Sequence, residues 1–206
     1  MLQLFKLNSK LFQMKKNTII ILVAIAALFL WGMSSYNGLV NKEETVNSQW
    51  SNVENQYQRR SDLIPNLVAT VKGYATHESS TLEGVVAARA KATQITIDPA
   101  KLTPEKLQEY QAAQGQVSSA LGKLLMITEN YPDLKANQNF LELQAQLEGT
   151  ENRISVERTR FNEVAQGYNT SIRRFPNSIF AGLFGFDKKP YFEAAKGSEN
   201  APAVKF

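Results

Sequence analysis

Four charged residues stand on otherwise apolar helical stripes, and they are the side chains best placed to do chemistry. They are Arg60, Arg89, Glu151 and Arg158. Charges that face one another inside a helical bundle must pair, because an uncompensated buried charge is costly. The pattern predicts a buried polar layer that fixes the register of the helices. The alternative is a ligand or metal site that uses the same groups.

Residues suited to catalysis are scarce. His77 is the only histidine, and it lies in a polar turn beside Glu78. A Ser–His–Asp triad would need a serine in a nucleophile elbow or an S-x-x-K motif, and the sequence contains neither. Without cysteine there is no thiol nucleophile, disulfide, thiolate zinc site or lipidated cysteine. Glycine-rich phosphate loops are absent too. We predict a non-enzymatic protein with no cofactor and no metal, and His77 as a solvated turn residue.

A second group of interest is the aromatic segment 175–189, which reads FPNSIFAGLFGFDKK. Aromatic rings next to lysines are typical of segments that touch a membrane surface. The candidate interface residues are Phe180, Leu183, Phe184, Phe186, Lys188 and Lys189. An equally good interpretation is that these aromatics fold back to cover the base of a helical bundle.

The elements that would position these groups are helices, since no strand alternation is present. The first stripe has spacings of three and four and predicts one long helix: Val46, Trp50, Val53, Tyr57, Arg60, Ile64, Leu67, Val71 and Tyr74. Pro65 should kink this helix near Ser61 without ending it. A turn follows at residues 73–80.

Three further helices are predicted. The second runs from about Thr81 to Ile95, is capped by Ser79 or Ser80 with Glu83, and carries Leu82, Val85, Val86 and Arg89. Thr103 caps the third, with Pro104 at its first position. Its stripe is Leu107, Tyr110, Gln114, Val117, Leu121, Leu124 and Thr128. The fourth follows a turn at residues 131–133 and ends near Arg174, before Phe175-Pro176. Its sevenfold spine is typical of coiled-coil packing: Phe140, Leu147, Ile154, Phe161 and Tyr168.

An apolar run without charge extends from Asn17 to Ser35, which is just long enough to cross a bilayer as a helix. Lys15 and Lys16 precede it, so the N-terminus should stay in the cytoplasm and the remainder should face outward. A cleaved signal peptide is the competing interpretation, although no clear A-x-A pattern follows the run. Met14 is an alternative start.

The charge of the chain is concentrated at one end. Four of the 23 Lys and Arg residues precede the apolar run, and the other 19 balance the 19 Asp and Glu residues. A neutral body does not indicate nucleic-acid binding. We therefore divide the chain into a basic N-terminus (1–16), a transmembrane helix (17–35), a helical domain (36–192) and a disordered tail (193–206).

Several segments together resemble the LemA family. They are YNGLV (36–40), Trp50, QRRSDLIPNLV (58–68), VKGY (71–74), ARA (88–90), YPDLKA (131–136), LEGTENRI (147–154), YN (168–169) and RFP (174–176). The RRSDLIPNLV stretch is long and unusual, and the resemblance covers the chain after Tyr36. Phe161-Asn162 stands where the family usually has Tyr-Asn, which is a conservative difference.

The resemblance implies an all-α protein, with an N-terminal transmembrane helix and an antiparallel four-helix bundle that contains two long helices. It implies little about activity. We expect a single-pass protein of a bacterial inner membrane, with the bundle outside the cytoplasm, acting as a scaffold or interaction module through a protein partner or self-association. The alternatives are an accessory subunit that holds a ligand at the polar layer, and a self-assembling protein that shapes membranes.

Overall fold

The computed structural model describes residues 2–194, and for residues 2–15 and 17 it describes the backbone alone. This part of the chain is helical and contains no strand, as predicted. The α-helices are α1 (Leu2–Lys72), α2 (Ser79–Gln94), α3 (Pro104–Thr128), α4 (Pro132–Lys135), α5 (Gln138–Arg173) and α6 (Asn177–Phe184). A 3-10 turn, Pro99–Lys101, precedes α3. The predicted tail is residues 193–206, and all but its first two residues lie outside the described part of the chain.

Helix α1 is 71 residues long and continues through Pro65, as predicted. It ends at Lys72, where the amides of Tyr74 and Ala75 both donate to the carbonyl of Val71. Tyr74 therefore lies beyond the helix and is 42% exposed, so its predicted place on the buried stripe is wrong. The other members of that stripe are buried.

Helix α2 differs from its prediction at the start. It begins at Ser79 after an N-cap residue, Glu78, whose side chain makes no capping hydrogen bond, so the predicted serine capping box is wrong. Val86 is also 49% exposed, because α2 buries only the narrow face that carries Leu82, Val85 and Ala92. Short helices that pack on one neighbouring layer need no wider apolar face.

Helix α3 follows its prediction closely. The Thr103 hydroxyl accepts from the Lys106 amide at 3.3 Å, and Pro104 occupies the first helical position. All seven residues of the predicted stripe are buried.

Helix α5 begins later than expected, because α4 forms a single helical turn before it. Asn137 separates the two helices, and its side chain accepts from the Phe140 amide at 3.0 Å. All five residues of the predicted spine are buried, at 4% exposure or less. Helix α6 was not predicted as a helix; it ends at Gly185, which has a φ of 74°, a conformation that glycine adopts without a Cβ penalty.

The chain forms two compact units. Among the described residues, one comprises residues 2–42 and 170–187, and the other comprises residues 43–169 and 188–194. The predicted domain boundaries stay a prediction. In the second unit α1, α2, α3 and α5 all contribute to one hydrophobic cluster, which includes Ile64, Val85, Val117 and Leu147. An antiparallel four-helix arrangement with coiled-coil packing stays a prediction at this point.

Candidate functional site: a polar layer and a C-terminal strap

Arg60 is the centre of the polar layer, and its side chain is almost completely buried, with 1% of the residue exposed. One terminal nitrogen, Nη1, donates to the Glu151 carboxylate at 2.6 Å and to the Ser118 hydroxyl at 2.7 Å. The other, Nη2, donates to the Gln114 side-chain oxygen at 2.6 Å and to the Gln114 carbonyl at 3.1 Å. Arg60 thus joins α1 to α3 and α5.

The sequence dictates this position. Arg60 follows Tyr57 by three residues and precedes Ile64 by four, so it must lie on the buried face of α1. The guanidinium also lies 5.1 Å from the centre of the Tyr57 ring, a cation–π distance. Both terminal nitrogens are fully used, so the arrangement can hold three helices in register and has no donor left there for a ligand.

Gln114 and Ser118 are members of the layer that the sequence did not identify as such. Gln114 was recognised only as part of the α3 stripe. An amide on a stripe of apolar residues is the signal that could have revealed it, because a buried amide needs partners. Ser118 gave no comparable signal.

The four predicted charges do not converge on one point. Arg60 and Glu151 form an ion pair, but the Glu151 side chain is 42% exposed and meets solvent. Arg89 is half-buried, and its Nε donates to the Ser61 carbonyl at 2.8 Å. Arg158 donates to the Glu193 carbonyl at 2.9 Å and lies 4.9 Å from the centre of the Phe192 ring. Of the four residues in the expected layer, Arg60 and Glu151 therefore form an ion pair. Arg89 and Arg158 each bind a main-chain carbonyl instead.

Two tyrosines beside the layer have perturbed acidity. Burial is the main reason why the pKa of Tyr110 is raised well above 10, and the neighbouring Tyr57 adds to the effect. Burial also raises the pKa of Tyr57, while the positive charges of Arg158 and Arg60 oppose the rise. Both phenols therefore stay neutral at physiological pH, and their rings pack against each other.

A cleft of about 300 Å³ opens beside the layer. Its lining includes Glu54, Arg60, Ser61, Arg89 and Tyr110. Burial raises the pKa of the Glu54 carboxyl. The Ser61 hydroxyl is buried and has no hydrogen-bond partner among the described residues.

The extended segment 188–194, which we call the C-terminal strap, is bound to α5 by two asparagines. The side chain of Asn169 donates to the Lys189 carbonyl at 2.8 Å and accepts from the Lys189 amide at 2.9 Å. Asn162 does the same for Phe192, at 2.9 and 2.8 Å. Seven residues of helix rise about 10.5 Å. Three residues of extended chain cover about 10 Å, so the two spacings match.

The strap also packs side chains against other residues of the second unit. Phe192 is 6% exposed and stacks on Trp50, with ring centres 5.8 Å apart and planes 9° from parallel. Lys189 is buried at 3% exposure and forms an ion pair of 2.7 Å with Glu43. Its predicted place at a membrane interface is therefore a misassignment, because a buried, paired ammonium cannot reach lipid headgroups. Lys188 is exposed.

The other predicted interface residues belong to the first unit. The Phe180 ring centre lies 5.4 Å from that of Trp31, and Phe184 and Phe186 lie 5.0 and 5.6 Å from Tyr36. Leu183 and Phe184 are 73% and 54% exposed. Within the aromatic segment, Phe180 and Phe186 thus pack on aromatic rings of α1, whereas Leu183 faces outward.

His77 is exposed in the turn before α2. Within the described residues no three His, Cys, Asp or Glu side chains come together as a metal site would require. Neither observation assigns a chemical role to this turn.

Comparisons with known proteins complete the description. The LemA family model matches residues 49–206. Magnetosome protein MamQ of Magnetospirillum gryphiswaldense is 26% identical over 92% of this chain and 78% of its own length. Magnetosome protein MamQ 2 of Paramagnetospirillum magneticum is 26% identical over 85% of this chain and 71% of its own length. Protein LemA of Metamycoplasma hominis is 24% identical over 78% of this chain and 69% of its own length.

Proposed function

Because the chain belongs to the LemA family, we propose that it is a single-pass protein of a bacterial inner membrane whose helical bundle is a non-catalytic scaffold outside the cytoplasm. The bundle would bind another protein or a second copy of the chain. The observation that carries the proposal is the apolar stretch of α1, whose residues 18–31 are exposed in the same helix that contributes to the bundle.

The exposed stretch has the properties of a membrane anchor. Residues 18–31 are all exposed, and they include Ile25, Leu28 and Phe29 at 57%, 65% and 67% exposure. α1 contains a window long and apolar enough to cross a bilayer, none of which is buried in the protein. So large an apolar surface is unfavourable in water and is stable in lipid, where the helical backbone satisfies its own polar groups.

Charge supports the orientation. Lys15 and Lys16 lie directly before the apolar stretch, whereas the first charges after it, Lys42, Glu43 and Glu44, come later and nearly cancel. Basic residues beside a span favour the cytoplasmic side. The bundle would then lie outside, and the names of the magnetosome relatives agree with a membrane location.

Pairings between α1 and α5 support an antiparallel bundle. Trp50 packs on Phe161, Arg60 binds Glu151, and the Tyr74 hydroxyl accepts from Asn137 just before α5. As the residue number rises along α1, the partner's number falls. This order supports two long helices that run in opposite directions, with α2 and α3 in the same hydrophobic cluster.

The polar layer supports a structural role over catalysis. A catalytic arginine needs free donors aimed at a substrate, but the terminal nitrogens of Arg60 are bound by Gln114, Ser118 and Glu151. Arg89 and Arg158 bind main-chain carbonyls between elements. These contacts stabilise a rigid surface on which a partner could assemble.

A charged substitution in the apolar stretch tests the anchor. Replacing Ile25 and Leu28 together by arginine should release the protein from membranes washed with alkaline carbonate, since each charge near the centre of a span costs about 2.5–3.5 kcal/mol on insertion scales. The matched control is Met126→Arg, on an equally exposed apolar residue of the bundle (71%), which should leave the protein in the membrane. Retention of the double variant would refute the anchor.

A further inference from the structure

We infer that α6 lies in the membrane beside the apolar stretch of α1, with its outward face in the lipid acyl chains. The inference rests on the proposed anchor and deepens it, because the membrane-embedded part would then be two packed helices. Three observations within the first unit carry it.

The first observation is where α6 touches α1. Phe180 packs on Trp31, and a Cβ added at Gly32 would lie 3.2 Å from the Phe180 ring. The absence of a side chain at Gly32 thus permits this close approach. Both Trp31 and Gly32 fall inside the predicted span of residues 17–35. Whatever medium surrounds that last turn of the span must therefore also surround α6.

The second observation is the chemistry of the outward face. Ile179 and Leu183 are spaced four residues apart on α6 and are 60% and 73% exposed, and Phe175, just before the helix, is 82% exposed. Residues with this spacing share one side of a helix. Such a face is unfavourable in water and suits acyl chains, and it continues the exposed apolar surface of α1.

The third observation concerns the residues on either side of α6. Arg173 and Arg174 precede the segment and are exposed, whereas α6 itself contains no charged residue. Arginines beside a buried apolar helix place their charges among lipid headgroups. The Gly185 cap then ends the helix, with the Phe186 amide donating to the Ala181 carbonyl at 3.0 Å. Backbone groups at the end of α6 thus form a hydrogen bond within the protein, as they must where water is scarce.

The chain lacks cysteine, so one introduced thiol gives one labelled position in the full-length protein. Ile179→Cys and Leu183→Cys would each carry a nitroxide in vesicles of phosphatidylethanolamine and phosphatidylglycerol. Leu28→Cys serves as the reference for lipid, and Met126→Cys as the reference for water. Collision with oxygen and with a water-soluble nickel chelate is then measured for each label.

We expect the labels at 179 and 183 to behave as the label at 28, with high oxygen and low nickel accessibility. If they behave as the label at 126 while position 28 stays in lipid, the inference about α6 fails and the anchor stands. If the label at position 28 is itself as accessible to nickel as the label at 126, the proposed anchor fails as well. Spin–spin broadening at 183 that disappears on dilution with unlabelled protein would assign the face to a second copy instead of lipid.

Discussion

At the scale of residues, the arginines of the polar layer are bound by main-chain carbonyls as well as by an opposite charge. Arg60 binds one carboxylate, but it also binds the Gln114 carbonyl and side chain. Arg89 binds the Ser61 carbonyl, and Arg158 binds the Glu193 carbonyl. A sequence shows which charged side chains could pair. Because every residue has a main-chain carbonyl, the carbonyls that these arginines bind could not be predicted.

Replacing Arg60 by alanine should destabilise the protein strongly. The change leaves Gln114 and Ser118 without a buried donor, and breaking such a network costs about 3 kcal/mol. Glu151→Ala should cost less, about 1 kcal/mol, because its carboxylate is 42% exposed. The measurement is urea unfolding of the full chain in detergent, followed by far-UV circular dichroism.

The matched control is Arg153→Ala, which removes an exposed arginine from the same helix as Glu151. Its unfolding midpoint should stay close to that of the wild type. An Arg60→Ala variant as stable as Arg153→Ala would contradict the structural role of the layer.

The raised pKa of Tyr110 predicts a loss of stability in alkali. Its unfolded-state pKa is about 10, and its folded-state pKa is higher. The neutral phenol therefore stabilises the fold fully below about pH 10, and this contribution falls as the pH rises further. Tyr110→Phe cannot ionise, so its free energy of unfolding should decline less between about pH 10 and 12. Parallel pH profiles for the two proteins would contradict this account.

At the scale of elements, the apolar stripes predicted most of the helices because burial is periodic. The spine of α5 from Phe140 to Tyr168 and the stripe of α3 are buried throughout. The start of α2 was wrongly predicted, because a capping motif competes with local packing. The single turn of α4 was missed, because a helix of four residues is too short to show a periodic pattern. The C-terminal strap was missed because its bonds are to backbone atoms.

The strap gives a prediction of its own. Asn169 is 3% exposed and bonds to Lys189 and Tyr191, so Asn169→Ala should leave the Lys189 amide and carbonyl unsatisfied. We expect a loss of about 2–3 kcal/mol and faster proteolysis of residues 188–194. Asn152→Ala, an exposed asparagine on α5, is the control. Equal digestion of both variants would contradict the role of the strap.

At the scale of the whole molecule, the proposed function combines a membrane anchor with a helical bundle that acts as a non-catalytic scaffold. The exposed apolar stretch of α1 and the match to the LemA family at residues 49–206 support it from independent sides. The polar layer and the strap stabilise the bundle through contacts between its own residues. The fold class could be predicted from periodicity, whereas the division into two units depends on contacts between distant residues that no local pattern records.

The central claim is that the bundle lies outside the cytoplasmic membrane on an anchored chain. The direct measurement is the labelling of Met126→Cys by a membrane-impermeant maleimide in intact spheroplasts, followed by fractionation. Met126 is 71% exposed, so the thiol is accessible wherever the bundle lies. We predict full labelling before lysis, on protein that stays in the membrane fraction. Labelling only after lysis, or on protein in the soluble fraction, would contradict the account.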